Sequence, residues 1–263
     1  MVPTFTDDCI QHSLLLIEKT KVSPDSYIFR FELPSEEHVP GLKPHQHVKL
    51  HAKIDGEPVF RKMTPITDDD TAGYMDLLIK IYQQTPEYPD GGLFTRWLDT
   101  VEVGEDVLIS GPIHKVCYEG EGVFSGRKVS HLKGRKFKNI ILIAGGTGIT
   151  PMYQIITHSL KYDKDDINIW LLFANRTTKD VLLKEELDKL AAENPRFHVW
   201  YTVSTPDDTW NYSVGYITKE MISTHLPSPS EDTITLVIGP LGMKKFAVYP
   251  ALKELGYPDK LVI

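Results

Sequence analysis

Apolar residues along this chain fall into two rhythms. In the first half they come in short runs rich in aliphatic and aromatic residues: SLLLIEKT, SYIFRFELP, QHVKLHAKI, PVFRKMTPI and YMDLLIKIYQ. Clusters of Gly, Pro, Asp and Ser separate them, as in PSEEHVPG, KIDGEP and TDDDTAG. Short runs at near-regular spacing, punctuated this way, predict an all-β barrel or sandwich. One short helix is predicted here, GGLFTRWLDTV, with Gly92 ahead of it.

The second half alternates differently. NIILIAG, NIWLLFAN, FHVWYTVS and TITLVIG read as strands, the first a continuous apolar run. TPMYQIITHSL, KDVLLKEELDKLAAEN, TKEMISTHL and MKKFAVYPALKELG read as helices, the last with Pro250 inside it, and KLVI closes the chain. Strands alternating with helices predict a doubly wound parallel sheet covered on both faces. Residues 119–138 carry glycines and six Lys/Arg and read as a connector. The expected organisation is a β domain over 10–118, the connector, and an α/β domain over 139–263.

Composition narrows the class without naming it. With 263 residues, 41% hydrophobic and 25% charged, the chain suits one large or two small globular domains. Two cysteines, Cys9 and Cys117, exclude a disulfide framework and fit a reducing, cytoplasmic setting. No apolar run approaches the ~20 residues of a membrane span, and the N-terminus has no signal-peptide pattern. A net charge of −7 argues against nucleic acid as a partner. The charge is uneven: residues 1–115 hold 11 Lys+Arg against 19 Asp+Glu (−8), and residues 116–263 hold 18 against 17 (+1).

The sharpest chemical signal is Ala144-Gly145-Gly146-Thr147-Gly148-Ile149-Thr150-Pro151, between a strand and a helix. Thr150 is the expected N-cap, and Pro151 suits a first helical turn. Glycines let a ligand approach the backbone, and a helix N-terminus favours an anion, so a phosphorylated ligand is the natural occupant. A tight turn without a ligand is the competing reading. The pattern is not G-x-G-x-x-G, since Pro151 stands in the last glycine position. No acid ends the next strand, which closes Phe173-Ala174-Asn175-Arg176. A second such turn, Ile238-Gly239-Pro240-Leu241-Gly242-Met243, also joins a strand to a helix. Two turns at strand C-ends mark one crevice in a doubly wound sheet.

Together these segments resemble the NADH-cytochrome b5 reductases, within the ferredoxin-reductase-like flavoproteins. The resemblance runs from about Leu14 to Ile263 and is carried by FRFELP, RKMTP, IKIY, GGLFT, AGGTGITPM, LFANRT, WYT and GPLGM in order. It implies a six-stranded antiparallel β-barrel that binds FAD, followed by an α/β domain that binds NADH or NADPH. It implies hydride transfer from NAD(P)H to FAD and single electrons passed to a haem protein such as cytochrome b5. By resemblance, Arg61 pairs with the FAD pyrophosphate, and Gly92, Phe94 and Thr95 hold it through backbone N–H groups and a hydroxyl. Thr64 faces the flavin N5, with His47 a proton relay behind it. Met63, Leu78, Lys80 and Tyr82 lie beside the isoalloxazine and ribityl, and Tyr88 near the adenine. Gly145, Gly146, Thr147 and Thr150 line the nicotinamide crevice. Arg176, Ser204, Tyr216, Gly239, Pro240 and Met243 surround the dinucleotide. No metal is implied.

Four positions depart from the family pattern. Met63 replaces a tyrosine against the flavin, and Leu93 replaces a lysine near the cytochrome-facing edge. Ile238 replaces a cysteine near the nicotinamide, which predicts slower hydride transfer. Ser204 replaces an aspartate that binds ribose hydroxyls, which predicts acceptance of NADPH; Asp207 or Asp208 is a candidate substitute acid. The basic run Arg127, Lys128, Lys133, Arg135, Lys136 and Lys138 is either a solvated loop or a steering patch for an acidic cytochrome. Two other functions stay open: a nucleotide-binding module with lost or altered chemistry, and the reductase module of a larger nitrate-reductase-type protein. A monomer is expected, and membrane attachment would come only through an anchor outside this chain, at the cytosolic face.

Overall fold

In the computed structural model the alternating runs of the first half become six strands: β1 (Asp7–Ser23), β2 (Ser26–Glu32), β3 (His47–Ile54), β4 (Glu57–Met63), β5 (Tyr74–Lys80) and β6 (Asp106–Ile113). They form one antiparallel sheet in the order β4-β3-β6-β1-β2-β5. The structure describes residues 1–86, 89, 91–161 and 166–263, in two units, Met1–Cys117 and Tyr118–Ile263.

Alternation decides which side chains enter the barrel. Phe29 and Phe31 of β2, Val48 and Leu50 of β3, and Met75, Leu77 and Ile79 of β5 point into one core. Helix α1 (Leu93–Thr100) seals it with Phe94 and Leu98. β1 is long enough to serve two neighbours. Its Gln11–Leu15 stretch pairs with β6, with Leu14 opposite Val107. After a register shift, Glu18–Ser23 pairs with β2. On the outside, Arg30 clamps Asp76 across β2 and β5 with two bonds of 2.8 Å, and its guanidinium lies 4.1 Å from the Tyr74 ring.

The second unit has the predicted parallel sheet, in the order β10-β9-β8-β7-β11. Its strands are β7 (Asn139–Gly145), β8 (Asn168–Thr177), β9 (Phe197–Thr205), β10 (Ser213–Val214) and β11 (Thr233–Ile238). Every residue of β7 after Asn139 is buried, as a central parallel strand requires. Helices α2 (Ile149–Lys161), α3 (Lys184–Glu193), α4 (Lys219–His225) and α5 (Tyr249–Glu254) complete it. Residues 119–138 are folded: Val123 bridges Lys136, Arg127–Leu132 is a 3-10 turn, and Phe124, Val129, Leu132 and Phe137 are buried. Arg135 pairs with Glu231 and Lys136 with Glu121, so part of the basic run is neutralised.

Two local expectations need correction. The last helix is not α throughout, because Met243–Val248 adopts the wider π spacing before α5. Pro250 cannot donate to the carbonyl four residues back and its ring crowds it, which favours the looser turn. Thr150 is not an N-cap. A 3-10 turn, Gly146–Gly148, runs straight into α2, so Thr150 already lies inside the helix with its hydroxyl donating to the Thr147 carbonyl (3.2 Å). No helix among the described residues is long and apolar enough to cross a membrane.

Candidate active site

The barrel unit carries a candidate anion cradle where β4 and the segment after β5 approach α1. Gly92 precedes α1, and a Cβ there would lie 2.5 Å from Thr95 Oγ1 and 2.8 Å from Tyr82 Cβ, so only glycine fits. The Gly92 N–H donates to the Tyr82 carbonyl (2.7 Å), and the Tyr82 N–H to Thr95 Oγ1 (3.2 Å). Thr95 Oγ1 in turn donates to the Gly92 carbonyl (3.1 Å), so this hydroxyl is already committed to the chain. Helix α1 has no capping side chain and no acid in its first turn, which leaves its first N–H groups for an anion. The Phe94 side chain belongs to the core, so only its backbone can serve a ligand. Arg61, exposed on β4, has its guanidinium 6.0 Å from the Phe94 ring, beside this helix start. Tyr82, Phe60 and Leu93 are large apolar side chains left exposed.

The other predicted barrel residues lie on β3, β4, β5 and the segments that follow them. Met63 packs against the core opposite Val48, and Thr64 follows it, half-buried. Leu78 is buried, and Lys80 holds an ion pair with Asp25 at 2.9 Å. Tyr88 lies outside the described residues. His47 opens β3 half-buried, with Nε2 buried and without a partner among the described residues. Burial, then the charges of Lys62, His45 and His114, push its imidazole down to about 4. It is therefore neutral near pH 7. His45 was legible as its neighbour in the H-x-H spacing; His114, from beyond β6, was not.

In the second unit the two glycine turns close on each other. β7 pairs with β11 so that Ala144 faces Ile238, which brings their C-ends together. A Cβ on Gly239 would lie 3.1 Å from Gly145 N, and one on Gly145 would lie 2.6 Å from Met243 Sδ and 3.0 Å from Pro240 Cδ. A Cβ on Gly148 would strike the Ile238 carbonyl. Gly146 has φ +55 and open space around it, and Thr147 is half-buried beside it. Glycine at all four positions therefore answers a physical demand, and at two of them the Met243 thioether packs directly on the glycine.

At the next strand ends, β8 and β9 run in parallel register, with Asn175 opposite Val203 and Thr177 opposite Thr205. This sets exposed Arg176 beside exposed Ser204. Arg176 reaches Asp180 (3.4 Å), whose other oxygen accepts from Thr177 N (3.1 Å) and Oγ1 (2.7 Å). Asp207 is turned onto Thr209, accepting from its N (3.1 Å) and Oγ1 (2.7 Å), and these bonds hold its carboxyl below the usual range. Tyr216 is almost fully exposed after Gly215.

Comparison with known proteins shows the family of the chain. A family model for the oxidoreductase FAD-binding domain matches residues 13–118, and one for the oxidoreductase NAD-binding domain matches residues 142–248. NADH-cytochrome b5 reductase 2 of Gallus gallus is 43% identical over 260 residues, covering 97% of this chain and 86% of that protein. The Homo sapiens protein of the same name is 41% identical over 264 positions, covering 98% and 96%. This chain belongs to the NADH-cytochrome b5 reductase family. Among solved structures, the cytochrome b5 reductase domain of Ulva prolifera nitrate reductase matches with TM-score 0.91 at 37% identity, over 100% of this chain and 99% of that one.

As a member of the family, the chain has both architectures that the resemblance implied, an antiparallel FAD-type barrel and a parallel NAD-type sheet. The barrel cradle has the groups to hold a dinucleotide pyrophosphate. The uncapped first turn of α1 leaves backbone N–H groups beside the Arg61 guanidinium, which suits paired phosphate oxygens.

Proposed function

We propose that this chain is an FAD-dependent reductase that moves electrons from NADH or NADPH to a haem-protein acceptor of the cytochrome b5 type. The observation that supports this reading is that each unit holds its own close glycine turn, one beside Arg61 and one where Gly145 meets Gly239. On this reading residues 10–118 serve FAD, 119–138 connect, and 139–263 serve the nicotinamide cofactor. Bound FAD supplies a group that takes hydride from a reduced nicotinamide and gives electrons up singly.

The chain's own residues bind and orient. Arg61 and the N–H groups from Leu93 to Thr95 hold a pyrophosphate, the Gly92 N–H being held by the Tyr82 carbonyl, and Met63, Leu78, Lys80 and Tyr82 bound the rest of the FAD. Met63 offers a polarisable sulfur to an aromatic ring but no phenol hydrogen bond. Thr64 presents a hydroxyl to the reacting edge, and His47 behind it is the proton relay toward that edge. Gly145, Gly146, Thr147 and Thr150, with Gly239, Pro240 and Met243, seat the nicotinamide end. Ile238 supplies bulk there and no thiol.

Arg176, Ser204 and Tyr216 seat the adenosine end. A strand-end carboxylate favours a ribose diol, whereas an arginine accommodates a 2′-phosphate. Arg176 beside Ser204, with Asp207 turned away, supports use of NADPH as well as NADH. The setting that fits is the cytoplasm, or the cytosolic face of a membrane for a longer anchored form, with the chain a monomer. The likeness to the nitrate reductase domain supports a second reading, a reductase module within a larger protein.

The test is the anaerobic visible spectrum of the purified protein, before and after each nicotinamide. A flavin band that bleaches with both is the expected result. Protein that takes up no flavin when FAD is supplied overturns the reading.

A further inference from the structure

Three hydroxyl residues of this chain have acids both three and four places on: Thr4, Ser204 and Ser228. Such a pattern is the charge code that an acid-directed serine/threonine kinase reads with cations of its own. Thr4 is buried. Ser228 is exposed, but its Glu231 is taken by Arg135 at 2.6 Å and by Lys260 at 3.1 Å. Ser204 differs from both. Residues 204–209 are exposed throughout, and neither Asp207 nor Asp208 has an ion pair among the described residues. The Ser204 hydroxyl has no hydrogen-bond partner there either. Its backbone is extended near the end of β9, and the ladder to β10 stops one residue earlier, at Val203. Across β8 its neighbour is Arg176, whose side chain is 69% exposed and touches Asp180 at 3.4 Å. That contact is long for a charge-assisted bond, so the guanidinium is open to a stronger anion.

We propose that Ser204 is a phosphorylation site for an acid-directed serine/threonine kinase, and that its phosphate turns the enzyme away from NADPH. The inference rests on the reductase reading above and adds a control on its choice of nicotinamide cofactor. In the modification, Ser204 Oγ forms a bond to the γ-phosphorus of ATP while the bond from that phosphorus to ADP breaks. ADP leaves, and the hydroxyl proton passes to a carboxylate of the kinase. The product carries about two negative charges and three acceptor oxygens at pH 7. One strand away from Arg176, it takes the paired bonds that the guanidinium would give to a 2′-phosphate. It also repels that phosphate directly. NADH has no 2′-phosphate and loses neither interaction. Thr205, the next hydroxyl, stands opposite Thr177 on the other face of the sheet and cannot act through Arg176 in this way.

The test incubates the flavin-loaded enzyme with casein kinase 2 and ATP and removes the nucleotides by gel filtration. Tandem mass spectrometry maps the phosphate, and steady-state ferricyanide reduction gives KM for each nicotinamide. Phosphate on Ser204 is expected, and its loss in Ser204→Ala. KM for NADPH is expected to rise about tenfold and KM for NADH by less than about twofold, and phosphatase treatment to reverse both. No phosphate on Ser204, or phosphate confined to Thr205 or Ser228, overturns the site. Phosphate on Ser204 with both KM values unchanged, or raised alike, overturns the switch. Unmodified enzyme that uses NADH alone overturns the switch and leaves the reductase reading standing. Unmodified protein that reduces ferricyanide with neither nucleotide overturns the reductase reading itself, a result distinct from any of these.

Discussion

Replacing His47 with leucine isolates one ionisation and its cost. The imidazole lies at about 4 in the folded protein against an ordinary 6.5, chiefly through burial. Between those values the unfolded chain binds a proton that the folded chain refuses, so stability falls as pH drops through this window. Two-state linkage puts the loss between pH 7.5 and pH 5 at about 2 kcal/mol, saturating at about 3 kcal/mol below pH 4. Burial also lowers His51 and His225, so the wild-type slope contains more than His47. The difference between wild type and His47→Leu removes those shared contributions. Urea unfolding of the apoprotein at the two pH values measures it, with midpoints converted at constant m. The variant is expected to lose about 2 kcal/mol less than wild type on acidification. Equal losses would refute the reasoning and place the His47 imidazole near its ordinary value.

Three further outcomes are expected. Gly148→Ala drives a Cβ to 2.7 Å from the Ile238 carbonyl carbon. It should cost several kcal/mol, whereas Gly146→Ala, at φ +55 in open space, should cost about 1 kcal/mol; thermal melting of the pair gives the comparison. Asp76→Asn breaks the two-bond clamp on Arg30 and should lower stability by about 1–2 kcal/mol, read from the urea midpoint. Ser204→Asp places a carboxylate beside Arg176 and should raise KM for NADPH about tenfold while sparing NADH, read from steady-state ferricyanide reduction.

The sequence made some of this legible for physical reasons. NIILIAG has no polar face to offer, so it belongs inside a parallel sheet, and it became β7. SYIFRFE alternates, so it belongs on a barrel wall with Phe29 and Phe31 inward. The closure of Gly145 on Gly239 was only half legible, because turn residues show where a chain bends and not how closely two bends approach. Thr150 misled because a capping residue type carries no sign of the 3-10 turn that starts the helix early. The ion pair between Lys80 and Asp25 was hidden in a loop acid with no periodic relation to the strand. The π segment was hidden because Pro250 marks a disturbance without saying which residues absorb it.

The division of β1 between two partners bears on how the barrel comes into being. Leu14 has its strand neighbour at Val107, on the last strand of the unit to be synthesised. While a ribosome is still extending the first hundred or so residues, β1 with β2 and β5 can form one piece and the β3–β4 hairpin another, with no strand yet to join them. The inward side chains of β3 and β4 therefore wait, wetted, until β6 emerges and joins β3 to β1. Closure then comes late and through distant contacts, a topology that folds slowly and exposes apolar edges to other nascent chains meanwhile.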